Sequence, residues 1–565
     1  MKILIEEQYY PADVVRDLCG DFGEPNNDGN IKVSRVGYFF NHKISDCVIC
    51  LPKVVMLKEN GVLKAFGKYE PQEIVNAFSD DKEDERKKCN LGERAQSFIK
   101  DFALWSYRTI STYARLNPKS GIVDQSGTAK SEDYAQGTLL DVILMLIKFY
   151  NENKDYFMYV IKNIHSGYDR VNWRKTISRK TPIIQNGSPI YMEVINRRKQ
   201  INFDEELMII FYSILNYVAR HLGFDLRFEC NYDLITGAEF ESYMEEVGLI
   251  RLRAIKYKYF SDKDLQMWNL CYAFFERTAR VNSSDDNADY LFVTDFDKVF
   301  ESMMNALISD KNLPKQIVDQ KDGKIVDHIF KYDSPIDGSP VYYIGDSKYY
   351  KTEADVHDTS LYKQYTYAKN VIQFHFDKRT KAADKKVEYR DEISEGYTFT
   401  PNFFISAYMP DDLSYEKNDI GDRDWKREVS SMNHFDNRLF DRDTLWLRHF
   451  DVNLLFIMSI YAQDDVSEQD SFKSSFKNVV RDKFKEMLGK EYRFFTVSSE
   501  EPVEDFIKAN FYYLNGRVRT HHEDASKLLL AIETDKVDEK IPGKDCTLKQ
   551  FLESKGAKVD AYEIK

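Results

Sequence analysis

The sequence of 565 residues lacks any apolar run long enough to cross a bilayer, and its first residues lack the layout of a signal peptide. It contains only seven cysteines, an odd number scattered along the chain, which favours a reducing compartment. Cys47 and Cys50 form a CxxC without a second pair or nearby histidines, so buried thiols are expected there rather than a zinc site. These absences predict a cytoplasmic protein without membrane contact.

Several absences also limit the function. No Walker A sequence is present, so this chain is expected to bind no nucleotide. No helix-turn-helix motif stands out as a reader of DNA bases, and no internal repeat is visible. The net charge of −13 argues against indiscriminate coating of nucleic acid, although a local basic track remains compatible with it.

The length and a hydrophobic content of 43% predict several domains with large cores. Short apolar runs over 1–78 predict a β-rich domain, and the charged stretch 79–88 follows it. Residues 79–280 are expected to be mainly helical, with helices over 98–116, 138–150 and 207–222. A further unit over 281–485 should include strands at 403–408 and 453–461, and 486–565 should form a C-terminal helical extension.

The most informative segment is 341–350, which reads Val-Tyr-Tyr-Ile-Gly-Asp-Ser-Lys-Tyr-Tyr. In a strand, Asp346 and Lys348 share one face while Ser347 points to the other. Strand interiors are normally depleted of Asp and Lys, so this pair after an apolar run suggests metal-assisted hydrolysis. An ion pair on an edge strand, where charges prevent aggregation, is the alternative.

A second acid precedes this segment. Residues 317–330 predict a hairpin with its turn at 321–324, which places Asp327 in the second strand. The turn-rich stretch 332–340 then lets that strand pair antiparallel with the Asp346 strand. Because Mg²⁺ usually takes one or two carboxylates, Asp327 and Asp346, helped by the backbone carbonyl of Ser347, would be sufficient ligands.

Helices are predicted on both sides of these strands. Residues 296–307 have apolar side chains at helical spacing, and Glu301 lies just beside that stripe. Glu301 is either a third acid for the metal or an exposed glutamate that flanks a core face. A second helix over 358–370 places Lys363 and Gln364 beside its own apolar stripe.

This order of helix with Glu, strand with Asp, strand with Asp-Ser-Lys and helix with Gln resembles the PD-(D/E)XK nuclease superfamily. Segments 343–351, 364–368 and 437–445 are similar to the LlaJI type of restriction endonuclease, a family similar to McrC, the nuclease subunit of a modification-dependent restriction system. Segments 36–39, 51–54, 172–177 and 450–456 are similar to the same family and extend the resemblance over about 30–465. The superfamily often has Pro before its first Asp, whereas Val326 precedes Asp327 here; Asp333 and Asp319 are the alternatives.

The resemblance implies an α/β multidomain protein with a PD-(D/E)XK restriction-endonuclease-like core, a mixed sheet flanked by helices, over 281–485. It further implies a Mg²⁺-dependent deoxyribonuclease, with Mn²⁺ as a substitute, that hydrolyses phosphodiester bonds of double-stranded DNA. Asp327, Asp346 and Glu301 would hold the metal, Lys348 would orient or deprotonate the attacking water, and Gln364 would position the phosphate or the water.

McrC-like subunits work beside an AAA+ GTPase of the McrB type, so the resemblance implies a motor partner that docks on residues 1 to about 250. Two alternatives remain. One is a self-sufficient type II restriction endonuclease that recognises its own site. The other is a non-enzymatic scaffold with a degenerate nuclease fold. Intact Glu301, Asp327, Asp346 and Lys348 weigh against the scaffold.

One stretch of this acidic chain is strongly basic. Residues 168–200 contain eight Lys or Arg and only two acids, interleaved with aromatic side chains. Such a patch can bind phosphates, but it also fits a partner interface or a solvated loop. The candidates for DNA or partner binding are Arg170, Trp173, Arg174, Lys175, Arg179, Lys180, Arg197, Arg198 and Lys199.

Overall fold

A computed structural model shows the architecture of the chain. The stretch 79–88, the predicted turn 321–324, Asp319 and Arg170 lie outside the described residues. Within the described part, no helix combines the length and the apolar character that are needed to span a membrane. The structure describes residues 1–19, 23–25, 29–41, 46–59, 61–78, 91–125, 137–154, 160–164, 171–200, 206–221, 224, 226, 228, 230, 232–282, 289–318, 325–349, 358–376, 396–418, 420–422, 431–432, 436–441, 444–463 and 465–565.

The N-terminal part is rich in strands, as predicted. Cys47 and Cys50 are buried free thiols on one of these strands, which confirms that prediction. Its elements are β1 (Lys2–Ile5), β2 (Tyr9–Pro11), α1 (Ala12–Cys19), β3 (Gly23–Pro25), β4 (Asn30–Val33), β5 (Val36–Asn41), β6 (Asp46–Leu51), a 3₁₀ turn (Lys53–Val55), β7 (Met56–Glu59), β8 (Val62–Ala65) and α2 (Pro71–Ala77).

The next part is mainly helical, and the helices predicted over 98–116, 138–150 and 207–222 are confirmed. The short strands between them were not predicted. The elements are α3 (Glu93–Leu116), β9 (Val123–Gln125), α4 (Leu139–Glu152), β10 (Val160–Ile164), α5 (Trp173–Arg179), β11 (Ile183–Gln185), β12 (Ser188–Ile190), β13 (Asn196–Gln200), α6 (Glu206–His221), α7 (Ala238–Ser242), a π-helical turn (Tyr243–Val247), α8 (Gly248–Ile255), a 3₁₀ turn (Lys256–Lys258) and α9 (Asp262–Asn282).

The N-terminal sheet takes one strand from much later in the chain. Strand β14 (Asp289–Val293) pairs with both β5 and β9, so the order is β1-β6-β5-β14-β9. Gly37 allows this pairing, because a Cβ there would lie 2.2 Å from the carbonyl oxygen of Leu291. The first sheet therefore draws strands from all three of the predicted units before residue 485.

The third part contains the segment with Asp346. Its elements are α10 (Phe296–Ile308), α11 (Lys315–Val318), β15 (His328–Asp333), β16 (Pro340–Lys348), α12 (Asp358–Phe376), β17 (Pro401–Tyr408), β18 (Ile420–Asp422), β19 (Ser431–Met432), β20 (Leu445–Asn453), α13 (Leu454–Gln463) and α14 (Val466–Glu491). The sheet order is β15-β16-β17-β20-β18, with β19 also on β20. Strands β16, β17 and β20 are parallel and the other pairings are antiparallel, so the predicted mixed α/β architecture is confirmed.

Two local predictions in this part are wrong. Residues 315–318 form a helical turn instead of a hairpin strand, and Asp327 lies just before β15 instead of inside it. The predicted strand over 453–461 is helix α13. The side chain of Asn453 accepts the backbone N–H of Leu455 at 3.0 Å at the start of that helix. An apolar run that is buried on all sides has no periodicity that separates strand from helix.

The C-terminal part is not the predicted helical extension. Its elements are β21 (Tyr492–Ser498), α15 (Val503–Leu514), β22 (Val518–Thr520), β23 (Lys527–Glu533), a 3₁₀ turn (Thr534–Lys536), α16 (Leu548–Ser554) and β24 (Lys558–Tyr562). The strands form an antiparallel sheet in the order β22-β23-β21-β24. Non-local pairing leaves little trace in a polar sequence, which explains the error. The predicted boundary at 485 also falls inside α14.

This C-terminal sheet packs against the turn that leads into β16. Arg519 Nη2 lies 3.2 Å from Asp337 Oδ2, and both side chains are almost fully buried. The backbone N–H of Lys565 donates to the carbonyl of Ile336 at 3.0 Å. Because residues 334–339 connect β15 to β16, these contacts hold the start of β16 in place.

The helix α10 that carries Glu301 packs as its sequence predicts. The apolar stripe is entirely buried and joins one continuous core that reaches from the N-terminal sheet to the C-terminal sheet. Glu301 lies beside this stripe and remains partly exposed. The buried members of the stripe are Phe296, Val299, Phe300, Met303, Met304 and Leu307.

We expect Gly345→Ala to destabilise the protein. A Cβ at position 345 would lie 2.3 Å from the ring of Phe403 on the adjacent strand β17. Such overpacking typically costs about 1–3 kcal/mol, so the thermal unfolding midpoint should fall. Gly421→Ala is the matched control, because the nearest atom to a Cβ there is 3.8 Å away. Equal midpoints for the two variants would contradict the packing argument.

Candidate active site

Asp346 and Lys348 lie on an interior strand. Strand β16 is bordered by β15 on one side and β17 on the other, which rules out the edge-strand alternative. The two residues are 1% and 9% exposed. A buried carboxylate on a central strand requires compensating charge, because desolvation of an ion costs several kcal/mol.

Two lysines provide that charge. Lys348 Nζ forms an ion pair with Oδ2 of Asp346. Lys363 Nζ, from helix α12, lies 3.5 Å from Oδ1 of the same carboxylate. Burial alone would lower the pKa of Lys363, but the Tyr367 hydroxyl and the nearby carboxylates outweigh burial and raise it. Lys363 therefore stays charged beside Asp346 while part of its side chain remains accessible.

Asp327 lies directly beside Asp346. In the β15–β16 register His328 faces Gly345, and one further step places Asp327 opposite Asp346. Burial, followed by the charges of Asp346 and Glu301, raises the pKa of Asp327 to about 8. At neutral pH Asp327 therefore keeps its proton when no cation is bound beside it.

Glu301 approaches the same site from helix α10. Its charge contributes to the raised pKa of Asp327, which places the two acids within electrostatic reach. Lys298 Nζ lies 2.9 Å from Oε2 of Glu301 and partly neutralises it. The structure thus brings Glu301 towards the aspartates, although the residue is more open to solvent than either of them.

Gln364 is buried and is bound to the strand beneath it. Its Nε2 donates to the carbonyl of Ile344 at 2.8 Å and lies 3.4 Å from Asn402 Oδ1. This contact holds helix α12 against β16 two residues before Asp346. The predicted role of Gln364 in orienting phosphate or water stays a prediction, since the observed contacts of its Nε2 are with Ile344 and Asn402.

Two residues near the aspartates were not among the predicted site residues. Lys363 was noted only as the neighbour of Gln364, and its position on the exposed side of the apolar stripe was the available signal. His328 is fully buried, and its Nε2 lies 2.5 Å from Ser347 Oγ. Burial lowers the pKa of His328 to about 4, so this imidazole is neutral at pH 7.

Asp327 and Asp346 could hold a divalent cation. Carboxylate oxygens are the hard ligands that Mg²⁺ prefers, and one or two of them are usual for this ion. The proton that Asp327 keeps marks a place where positive charge is favoured. Among the residues that the structure describes, no three His, Cys, Asp or Glu side chains form a preassembled metal cluster. Glu301 would therefore complete the set through water or a small movement.

A comparison with protein families identifies the chain. The model of the LlaJI restriction endonuclease family matches residues 87–386. This chain belongs to that family. The match includes Glu301, Asp327, Asp346, Lys348 and Gln364. Neither the curated proteins nor the solved structures gave a match. Membership in the LlaJI family identifies a restriction nuclease whose substrate is DNA.

The basic stretch of this LlaJI-family protein is only partly described. Trp173, Arg174 and Arg179 lie on the surface of the short helix α5, and Lys175 is partly buried on the same helix. Lys180, which follows α5, forms an ion pair with Glu193. Arg170 lies outside the described residues, and Arg197, Arg198 and Lys199 are described only by their backbone in β13.

An apolar surface accompanies the basic helix. Strands β11 and β12 form a hairpin whose residues are all exposed. Ile184 is 74% exposed and Met192 is 77% exposed. The rings of Trp173 and Tyr191 contact each other edge to face with centroids 6.2 Å apart. We call α5, the hairpin and residues 191–192 the hairpin surface.

We expect Asp327→Asn to stabilise the metal-free protein at alkaline pH. Because the folded protein retains the Asp327 proton up to a pKa of about 8, its stability falls as pH rises above the unfolded value. The asparagine variant avoids this loss, by up to about 1.4 kcal/mol per pH unit.

The measurement is the thermal unfolding midpoint in EDTA between pH 5 and 8.5. The advantage of Asp327→Asn over the wild type should grow up to about pH 8 and then level off. Asp333→Asn changes an exposed carboxylate at the far end of β15 and should show no comparable gain. A constant difference between Asp327→Asn and the wild type at all pH values would contradict the raised pKa of Asp327.

Proposed function

We propose that this LlaJI-family protein is the Mg²⁺-dependent DNA endonuclease subunit of a two-component, McrBC-like restriction system that acts in anti-phage defence. The single observation that carries the proposal is the buried Asp346–Lys348 pair beside Asp327. The order α10, β15, β16, α12, β17 supports a PD-(D/E)XK core, with β16 and β17 as parallel strands joined through a helix.

The residues divide the work of hydrolysis among them. Asp327 and Asp346 would hold the ion, and Glu301 would complete its shell directly or through water. When bound, Mg²⁺ supplies Lewis acidity and a water of lowered pKa. Lys348, next to Asp346, would orient or deprotonate the attacking water. Lys363 would bring a second positive charge to the phosphate, since part of its side chain is accessible.

The hairpin surface supports a protein partner. DNA backbones are recognised by cations and polar groups, whereas exposed aliphatic side chains such as Ile184 and Met192 favour an apolar protein surface. A cluster of exposed aliphatic residues beside an accessible Trp is typical of protein interfaces. This surface fits the docking of an AAA+ GTPase of the McrB type, and the adjacent arginines would set its orientation.

The proposal predicts that Asp346→Asn and Lys348→Met abolish DNA cleavage. Each variant keeps the approximate side-chain volume but removes a charge from the buried pair, so cleavage should fall at least about 100-fold. The measurement is plasmid cleavage with Mg²⁺, with and without an AAA+ GTPase of the McrB type. Asp333→Asn, an exposed acid on β15, is the control and should cut normally.

The outcomes of this assay also separate the alternatives. Cleavage by the purified chain with Mg²⁺ alone would favour the self-sufficient type II endonuclease. Cleavage at the wild-type rate by either Asp346→Asn or Lys348→Met would refute the proposed site.

For the partner, we expect Ile184→Asp to reduce copurification of the GTPase at least about tenfold, because a charge would be buried in the apolar contact. Ile250→Asp in α8 is the matched control, since Ile250 is also exposed but lies outside the hairpin surface. DNA cleavage that requires the GTPase should be lost together with the complex. A GTPase that binds Ile184→Asp and the wild type equally would place the docking site elsewhere.

A further inference from the structure

The residue that follows the catalytic strand contacts the N-terminal part of the molecule. Tyr349 comes directly after Lys348, and its ring is buried. Its hydroxyl donates to Glu6 Oε2 at 3.5 Å and accepts the backbone N–H of Val54 at 3.4 Å. Both hydrogen bonds are long, but they join segments that lie almost 300 residues or more apart in the sequence.

The ring of Tyr349 contacts two further elements. On one side, the rings of Phe296 and Phe300 from helix α10 lie 5.5 and 6.3 Å from it, centroid to centroid. On the other side, Lys53 Nζ lies 5.3 Å from the ring centroid. Tyr349 is therefore wedged between the helix that carries Glu301 and the chain that follows β6.

Glu6 organises the N-terminal side of this junction. The backbone N–H of Lys53 donates to Glu6 Oε2 at 2.9 Å, so one carboxylate oxygen binds both Lys53 and Tyr349. The Lys53 side chain is directed in turn by an ion pair with Glu7 at 2.9 Å. A carboxylate that is almost completely buried cannot rotate freely, and it therefore provides a rigid attachment.

We propose that Tyr349 is a positioning residue for the metal site. Through Tyr349, the N-terminal part fixes the positions of Lys348 and of helix α10, which carries Glu301, relative to each other. The inference rests on the proposed function. Sheet pairing of β16 ends at Lys348, opposite Ser406, so the next residue determines how firmly that end of the strand is held. Displacement of a catalytic group by about 1 Å can cost 100-fold in rate.

The proposal gives the N-terminal part a role in cleavage chemistry. Lys348 and Glu301 reach the aspartates from two different elements, and Tyr349 packs against the element that carries Glu301 while adjoining Lys348 in the chain. The unit predicted over 281–485 would therefore lack part of its own support if it were separated from residues 1–55.

The test uses the full chain with Tyr349→Phe, Glu6→Met, which removes the acceptor oxygens but keeps the side-chain length, and the double variant. Mg²⁺ affinity is measured by calorimetry, DNA affinity is measured in Ca²⁺, and cleavage is measured with Mg²⁺. Loss of a supporting contact around a metal site typically weakens metal binding at least about tenfold, and we expect this for each single variant, with unchanged DNA affinity. The double variant should be no weaker than either single one, because both remove the same contact.

Tyr10→Phe is the matched control. Tyr10 is also a buried tyrosine of the N-terminal part, and its hydroxyl accepts the backbone N–H of Ile5 at 3.0 Å, but it does not contact β16 or α10 in this way. It should leave Mg²⁺ affinity unchanged. An equal loss in Tyr10→Phe, or wild-type affinity in Tyr349→Phe and Glu6→Met, would overturn the positioning role.

Failure of the proposed function itself would give a different result. In that case Asp346→Asn would bind Mg²⁺ and cleave DNA like the wild type. If Asp346→Asn loses both properties while Tyr349→Phe and Glu6→Met keep them, the site stands and only the positioning role of Tyr349 is rejected.

Discussion

The burial of the Asp346 carboxylate inside a central strand is the constraint on which the rest of this structure depends. A buried charge is tolerated only when nearby charges and hydrogen bonds compensate for its lost hydration. Lys348 and Lys363 supply two positive charges, but Asp327 adds a second carboxylate at the same place. Burial, together with the charges of Asp346 and Glu301, raises the pKa of Asp327 to about 8, and the same surroundings would favour a bound cation.

Other parts of the molecule hold the strand that carries this charge. The C-terminal sheet braces the turn before β16 through Arg519 and Asp337, and the N-terminal part contacts Tyr349 just after the strand. Gln364 binds its middle at Ile344. One strand is thus held at both ends by segments that are remote in sequence, within a core that is continuous across the chain.

Local patterns predicted much of the candidate site. The apolar stripe of α10 predicted a helix with Glu301 beside the stripe. The two-residue alternation of side chains along a strand placed Asp346 and Lys348 on one face of β16. Predictions for segments whose structure depends on what packs against them failed more often. The run 453–461 is a buried helix, 315–318 is a helical turn, and 486–565 contains a four-stranded sheet, because each of these depends on what packs against the segment.

The sequence by itself determined the residue types of the site, their order along the chain, the main helices and the resemblance to the LlaJI family. Only the tertiary structure decided that β16 is an interior strand, that burial beside Asp346 raises the pKa of Asp327, that Lys363 lies beside Asp346 and that Tyr349 contacts Glu6. The physical reason is that periodicity records which face of a segment is buried. Short distances between remote residues, and the pKa shifts that such residues cause in one another, arise only when the segments pack together.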